Sequence, residues 1–155
     1  MAASPQAGSL HTALPRAWKY PECPLAVVFC DDERYVQMAS QLLGRRIGLP
    51  KNRMGVPNSS EELLTLLAEH PEWRRVLVLQ DIEMRGETGV DCLRKVRDAG
   101  YGEDVVAFVG ATAYPRQQHL SKMGFAGLIE KPFNADRLRT FVQRFEDGPG
   151  GWYEG

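Results

Sequence analysis

Leu25-Ala-Val-Val-Phe-Cys-Asp-Asp-Glu33 decides the fold. Its first six residues are apolar without polar alternation, the pattern of a strand buried on both faces, as in parallel sheets. Beyond the acidic residues, Val36, Ala39, Leu43 and Ile47 recur at three- and four-residue spacing, which predicts an amphipathic helix from Glu33 to about Gly48. A strand followed by a helix is one βα unit, and the unit recurs along the chain. Arg53 to Val56 predicts a second strand, and Ser59-Ser-Glu-Glu62 has capping-box form ahead of Leu63, Leu64, Leu66 and Leu67. Trp73 to Gln80 holds Val-Leu-Val-Leu, and Gly89 to Ala99 puts Val90, Leu93 and Val96 on one side of a helix. Asp104 to Val109 is again strand-like, and a helix is expected from Pro115 to Gly124. Gly127 to Glu130 predicts the fifth strand, and Asn134 caps a last helix that turns Leu138, Phe141, Val142 and Phe145 inward. The expectation is an α/β, doubly wound (βα)5 fold with a five-stranded parallel sheet.

This folded part runs over 25–147. Residues 1–24, rich in Ala, Ser, Pro and Gly and without periodicity, are expected to form a disordered N-terminal extension, and 148–155 a Gly-rich C-terminal tail. At 155 residues the chain matches one domain of about 150. With 19 Lys+Arg against 20 Asp+Glu the net charge is −1, which does not suggest a nucleic-acid surface. Three scattered cysteines and three scattered histidines leave neither a disulfide scaffold nor a zinc site. No apolar run approaches the ~20 residues of a membrane span. Cys30 and Cys92 read as small core hydrophobes, and Arg94, Lys95 and Arg97 as a solvated helix face.

In an open parallel sheet, ligands bind beyond the carboxyl ends of the strands. Asp31, Asp32 and Glu33 follow the first strand, Asp81 the third, Thr112 the fourth and Lys131 the fifth. Carboxylates converging on one edge repel unless a cation lies among them, and an all-oxygen donor set suits Mg²⁺, with Mn²⁺ as the alternative. A lysine and a hydroxyl beside such a metal can hold the oxygens of a transferring phosphoryl group.

Four ordered stretches, Phe29-Cys-Asp-Asp-Glu33, Asp81-Ile-Glu-Met-Arg-Gly-Glu-Thr-Gly89, Ala111-Thr-Ala113 and Lys131-Pro-Phe133, resemble the receiver domain of two-component response regulators. The resemblance spans about Leu25 to Phe145 and implies a flavodoxin-like, CheY-like fold. It implies that Asp81 is the phosphoacceptor, that Asp32 binds Mg²⁺ directly with Asp31 assisting, and that the backbone carbonyl of Glu83 completes the ligands. Thr112 and Lys131 would contact phosphoryl oxygens, and the Lys131-Pro132 bond is often cis in this family. The implied donor is a phosphohistidine of a histidine kinase or phosphotransfer protein. The implied downstream partner docks on the fourth helix, fifth strand and fifth helix, in the cytoplasm. Arg85 stands where the family usually has Pro, Glu87-Thr88 where it has Met-Asp, and Leu128 where an aromatic toggle is common.

Two readings compete with a phosphoaccepting signalling domain. A pseudo-receiver would keep the fold as a protein-binding module without phosphate turnover. A phosphohydrolase of the haloacid-dehalogenase type needs a second Asp two residues after its nucleophile, and Glu33 follows Asp31 at that spacing. The short stretch after Phe145 leads us to expect a stand-alone receiver or the receiver of a hybrid kinase.

Overall fold

The computed structural model describes residues 17–114, 118–148 and 151–155. Strands β1 (Ala26–Cys30), β2 (Met54–Gly55), β3 (Val76–Asp81), β4 (Val106–Thr112), β5 (Gly127–Glu130) and β6 (Tyr153–Glu154) form one sheet in the order β2-β1-β3-β4-β5-β6. Every neighbouring pair is parallel. From β1 the chain first moves outward to β2 and then returns past β1 to β3. The crevice where the winding reverses therefore opens at the carboxyl ends of β1 and β3.

Helices α1 (Arg34–Arg46), α2 (Ser60–Glu69), α3 (Gly89–Asp98) and α4 (Ala135–Glu146) cover the sheet. Alternate strand residues face opposite sides. Ala26, Val28, Val76, Val78 and Phe108 pack with Leu63 and Leu67 of α2 and Leu93 and Val96 of α3. Val27, Phe29, Leu77, Leu79 and Val109 pack with Leu138, Phe141 and Phe145 of α4 and with Leu43 of α1. The three central strands are buried at every position, as continuous apolar runs require. Ser59 caps α2 by accepting from the Glu62 N–H at 3.2 Å, and Asn134 caps α4 by accepting from the Arg137 N–H at 2.8 Å. α3 carries a capping box, Thr88 with Asp91, that the sequence reading did not use.

Several expectations are corrected. The sheet has six strands rather than five, because Tyr153–Glu154 of the expected tail pairs with β5. The second strand shrinks to Met54–Gly55. Of the helix expected from Pro115 to Gly124, residues 115–117 lie outside the described residues, and Gln118–Met123 is a 3-10 turn. Its anchor is Leu120, fully buried, whereas Met123 is exposed, so it offers no stripe for a longer helix to bury. Of the expected N-terminal extension, residues 1–16 lie outside the described residues, but Trp18 is buried and its indole N–H donates to the Phe145 carbonyl at 2.8 Å. Arg97 is half-buried rather than on a solvated face: its guanidinium donates to the Tyr101 and Val106 carbonyls and lies 5.5 Å from the Phe108 ring. Cys30 and Cys92 are buried free thiols, as expected of core hydrophobes. The hydrogen bond with Cys30 and burial both push the Cys92 thiol far up, away from reactive thiolate.

Candidate functional site

The strands deliver Asp31, Asp81 and Thr112 to one edge because β1, β3 and β4 run in register, with Cys30 opposite Gln80 and Asp81 opposite Ala111. Asp31, Asp81 and Thr112 are all buried, at 4%, 4% and 0% exposure, which is unusual for such groups without a task or a partner. One carboxylate oxygen from each of Asp31, Asp32 and Asp81 lies within 4.8 Å of the others. Lys131 reaches in from β5 and bridges two of them, its Nζ 3.2 Å from Asp31 Oδ2 and 3.2 Å from Asp81 Oδ1. The Lys131-Pro132 peptide is cis.

Burial pushes the Asp31 carboxyl above its ordinary value, and the neighbouring Asp81 charge adds to the rise, against the Glu33 N–H and Lys131, which pull it down. Burial also works against the charge of Lys131, but the Asp31 and Asp81 carboxylates outweigh it, so its pKa is raised. Three carboxylates thus converge while one ammonium pairs with two of them, and a divalent cation would answer the remaining negative charge. The oxygen-only set, already gathered, fits Mg²⁺ or Mn²⁺.

Around this cluster the backbone is tied down. Asp31 Oδ1 accepts from the Glu33 N–H at 2.9 Å, and the Gln37 amide donates to the carbonyls of Asp31 and Val56, fixing the turn after β1. Asp81 Oδ1 accepts from the Glu83 N–H at 3.2 Å. Gly89 sits so close beneath the site that a Cβ there would lie 2.8 Å from the Asp81 carbonyl oxygen.

The structure brings together Asp31, Asp32, Asp81, Thr112 and Lys131 as the sequence pattern predicts, and it adds contacts that the pattern did not reveal. The Thr112 hydroxyl donates to the Glu83 carboxylate, 2.9 Å from Oε1 and 3.0 Å from Oε2, and accepts from the Tyr114 N–H at 3.0 Å. Sequence reasoning considered Glu83 only for its backbone carbonyl. The Arg85 N–H donates to Asp32 Oδ2 at 2.8 Å, a bond that a proline could not make. Glu87 accepts from the Ser60 N–H and hydroxyl at 2.7 and 2.8 Å and pairs with Lys95 at 3.0 Å, linking the acceptor loop to the start of α2. Burial works against its charge, yet the Ser60 N–H, Lys95 and the Ser60 hydroxyl together hold its carboxyl down to about 2. The signal for the Arg85 and Glu87 contacts was present only as departures from the usual acceptor-loop residues, and the Glu83 contact left no signal.

The sequence profile of the response regulator receiver domain matches residues 27–143. The chain belongs to that family. Among solved structures, this receiver domain resembles a CheY-like response regulator receiver from Methanospirillum hungatei, with 24% identity, TM-score 0.60 and coverage of 79% of this chain and 96% of the other. A response regulator from Thermotoga maritima, solved in complex with Mg²⁺ and BeF, matches at 22% identity and TM-score 0.62, over 78% of this chain and 98% of that one. A probable response regulator/GGDEF domain protein matches at 24% identity and TM-score 0.65, over 80% of this chain; the receiver spans about half (49%) of that longer protein. A comparison with curated protein sequences finds no match. These similarities establish a CheY-like receiver fold, and among the described residues no helix is long and apolar enough to cross a membrane.

Proposed function

We propose that this receiver domain accepts a phosphoryl group on Asp81 from a phosphohistidine of a histidine kinase or phosphotransfer protein, and relays the signal by a change of conformation. The observation that carries the reading is the convergence of Asp31, Asp32 and Asp81 oxygens within 4.8 Å, with Lys131 at 3.2 Å from two of these groups. An Asp81 carboxylate oxygen would attack phosphorus; the P–O bond forms as the P–N bond breaks, and the imidazole leaves with the bonding pair. Mg²⁺ would supply neutralisation of the phosphoryl oxygens, held by Asp31, Asp32, Asp81 and the Glu83 backbone carbonyl. Lys131 holds a second phosphoryl oxygen by exchanging its bond to Asp81. The Thr112 hydroxyl binds a third when it leaves the Glu83 carboxylate.

The donor's docking face is suggested by α1. Tyr35, Met38 and Leu42 are exposed at 85%, 52% and 67%, on a helix that flanks a groove lined by Val36, Leu43, Lys131 and Phe133. An apolar helix face beside the site lysine suits a protein donor. We assign the downstream partner to the face formed by the fourth-helix region at Gln118–Met123, β5 and α4, and the reaction to the cytoplasm.

One observation favours the alternative pseudo-receiver: Glu83 supplies Thr112 with an internal anion in place of a phosphoryl oxygen. Incubation with Mg²⁺ and acetyl phosphate, followed by intact-mass measurement, separates the two readings. The phosphoacceptor reading expects one phosphoryl group on the wild type and none on Asp81→Asn. No gain in either protein supports the pseudo-receiver, and equal gain in both removes Asp81 as the acceptor.

A further inference from the structure

The Gly-rich stretch at 148–151 leads into a strand. Tyr153–Glu154 pairs in parallel with β5, opposite Gly127 and Leu128. The Tyr153 N–H donates to the Ala126 carbonyl at 3.0 Å and the Gly155 N–H to the Leu128 carbonyl at 2.9 Å. Side chains alternate as a strand requires. Trp152 packs toward the α2–α3 side of the sheet and Tyr153 toward the α4 side. There the Tyr153 ring lies 5.1 Å from Phe141 and 6.4 Å from Phe145, with the Arg144 guanidinium 5.3 Å from its centre. Arg137 holds the end of the segment by donating to the Gly155 carbonyl at 3.0 Å. β5, α4 and β6 therefore form one more crossover unit, with β6 reduced to two residues.

One feature shows that β5 is shaped for this neighbour. A Cβ on Gly127 would collide with the Tyr153 carbonyl oxygen, so the strand seats only where residue 127 has no side chain. The next residue, Leu128, is buried, and its carbonyl receives the Gly155 N–H. The segment thus closes the backbone donors and acceptors of β5 at the edge assigned above to the downstream partner.

We propose that Trp152–Gly155 is a self-supplied edge strand. A downstream protein engages this receiver by displacing it with an extended segment of its own, pairing with β5 and placing an aromatic ring over Phe141 and Phe145. Unpaired edges are the usual template for strand addition, and a tethered strand guards one because its local concentration is high. The choice of rival rests on the partner-face reading, but the test below involves no phosphoryl group, so its failure is distinct from failure of the phosphoacceptor reading.

Amide NMR on the full chain tests it, with a synthetic peptide of residues 148–155 at millimolar concentration as the probe. In the wild type, the Tyr153 and Gly155 amides should exchange at least about tenfold slower than in an unstructured chain, and the peptide should leave Ala126, Gly127 and Leu128 unmoved. Tyr153→Pro removes one donor and the ring. It should free the Gly155 amide and shift those three β5 amides, and added peptide should return them toward their wild-type positions. Gly127→Ala should undock the segment and be indifferent to the peptide. The proposal is overturned if the wild-type Tyr153 and Gly155 amides exchange at unstructured rates. It is equally overturned if the peptide moves wild type and Tyr153→Pro alike, or if Gly127→Ala leaves the segment docked.

Discussion

The two ends of the sheet handle charge in opposite ways. At the amino end, Arg75 is 7% exposed, and its guanidinium is met on every side. It donates to the Cys23 carbonyl at 2.5 Å, the Glu146 carbonyl at 2.6 Å and the Glu146 carboxylate at 2.9 Å, with the Trp18 ring 5.9 Å away. At the carboxyl end, three carboxylates converge, only two of them, Asp31 and Asp81, pair with the Lys131 ammonium, and the Thr112 hydroxyl is held by a fourth carboxylate, that of Glu83. A matched buried charge fastens elements together. An unmatched cluster stores repulsion that a cation or phosphoryl chemistry can use, and this imbalance marks the functional edge.

Breaking the matched end should have the largest effect on folding. Arg75→Ala leaves the Cys23 and Glu146 carbonyls without their donor and unfastens residues 18–23 from α4, so a loss of about 3 kcal/mol is expected in urea unfolding. A loss below about 1 kcal/mol would mean the cation is matched no better than a surface ion pair.

Glu87 sharpens the comparison from the carboxyl side, because it is a carboxylate near the site that does have its partners. Its carboxyl titrates at about 2 in the folded chain against an ordinary 4.5, so between those values the unfolded chain binds more protons. Its contribution is present in full above pH 4.5 and is lost as pH falls toward 2. Glu87→Gln should cost about 1 kcal/mol at neutral pH and flatten the fall of stability in that acid window. An unchanged slope would show that the pairing with Ser60 and Lys95 is not held in solution.

Trp18→Phe is the gentlest cut. It keeps an aromatic ring beside Arg75 but removes the donor to the Phe145 carbonyl, and about 0.5–1 kcal/mol should be lost. Trp fluorescence is still available from Trp73 and Trp152 to follow unfolding.

The carboxyl end was far more legible in the sequence than the amino end. Asp81 and Thr112 end their strands and Asp31, Asp32 and Lys131 follow theirs, and register does the rest, so reading the strands was enough to gather them. Arg75 met Cys23 and Glu146 only through the fold: partners 52 and 71 residues away leave no periodic trace. Trp18 was hidden in a stretch whose composition suggests a loose leader. β6 was missed because two residues after a run of glycine show no alternation long enough to read. The 3-10 turn at Gln118–Met123 was expected as a helix because Pro and Gly bracket it, and bracketing residues do not reveal how many side chains can be buried between them.

The central claim is that the carboxyl edge holds unrelieved negative charge that a divalent cation relieves. Thermal unfolding of wild type and Asp32→Asn, each in chelator and in millimolar Mg²⁺, tests it most directly. Asparagine still accepts the Arg85 N–H, so only the charge is removed. The account predicts that Asp32→Asn melts higher than wild type in chelator, because crowding is relieved, and that Mg²⁺ raises the wild type while leaving the variant nearly unmoved. A variant that melts lower in chelator, or that responds to Mg²⁺ as the wild type does, would contradict it.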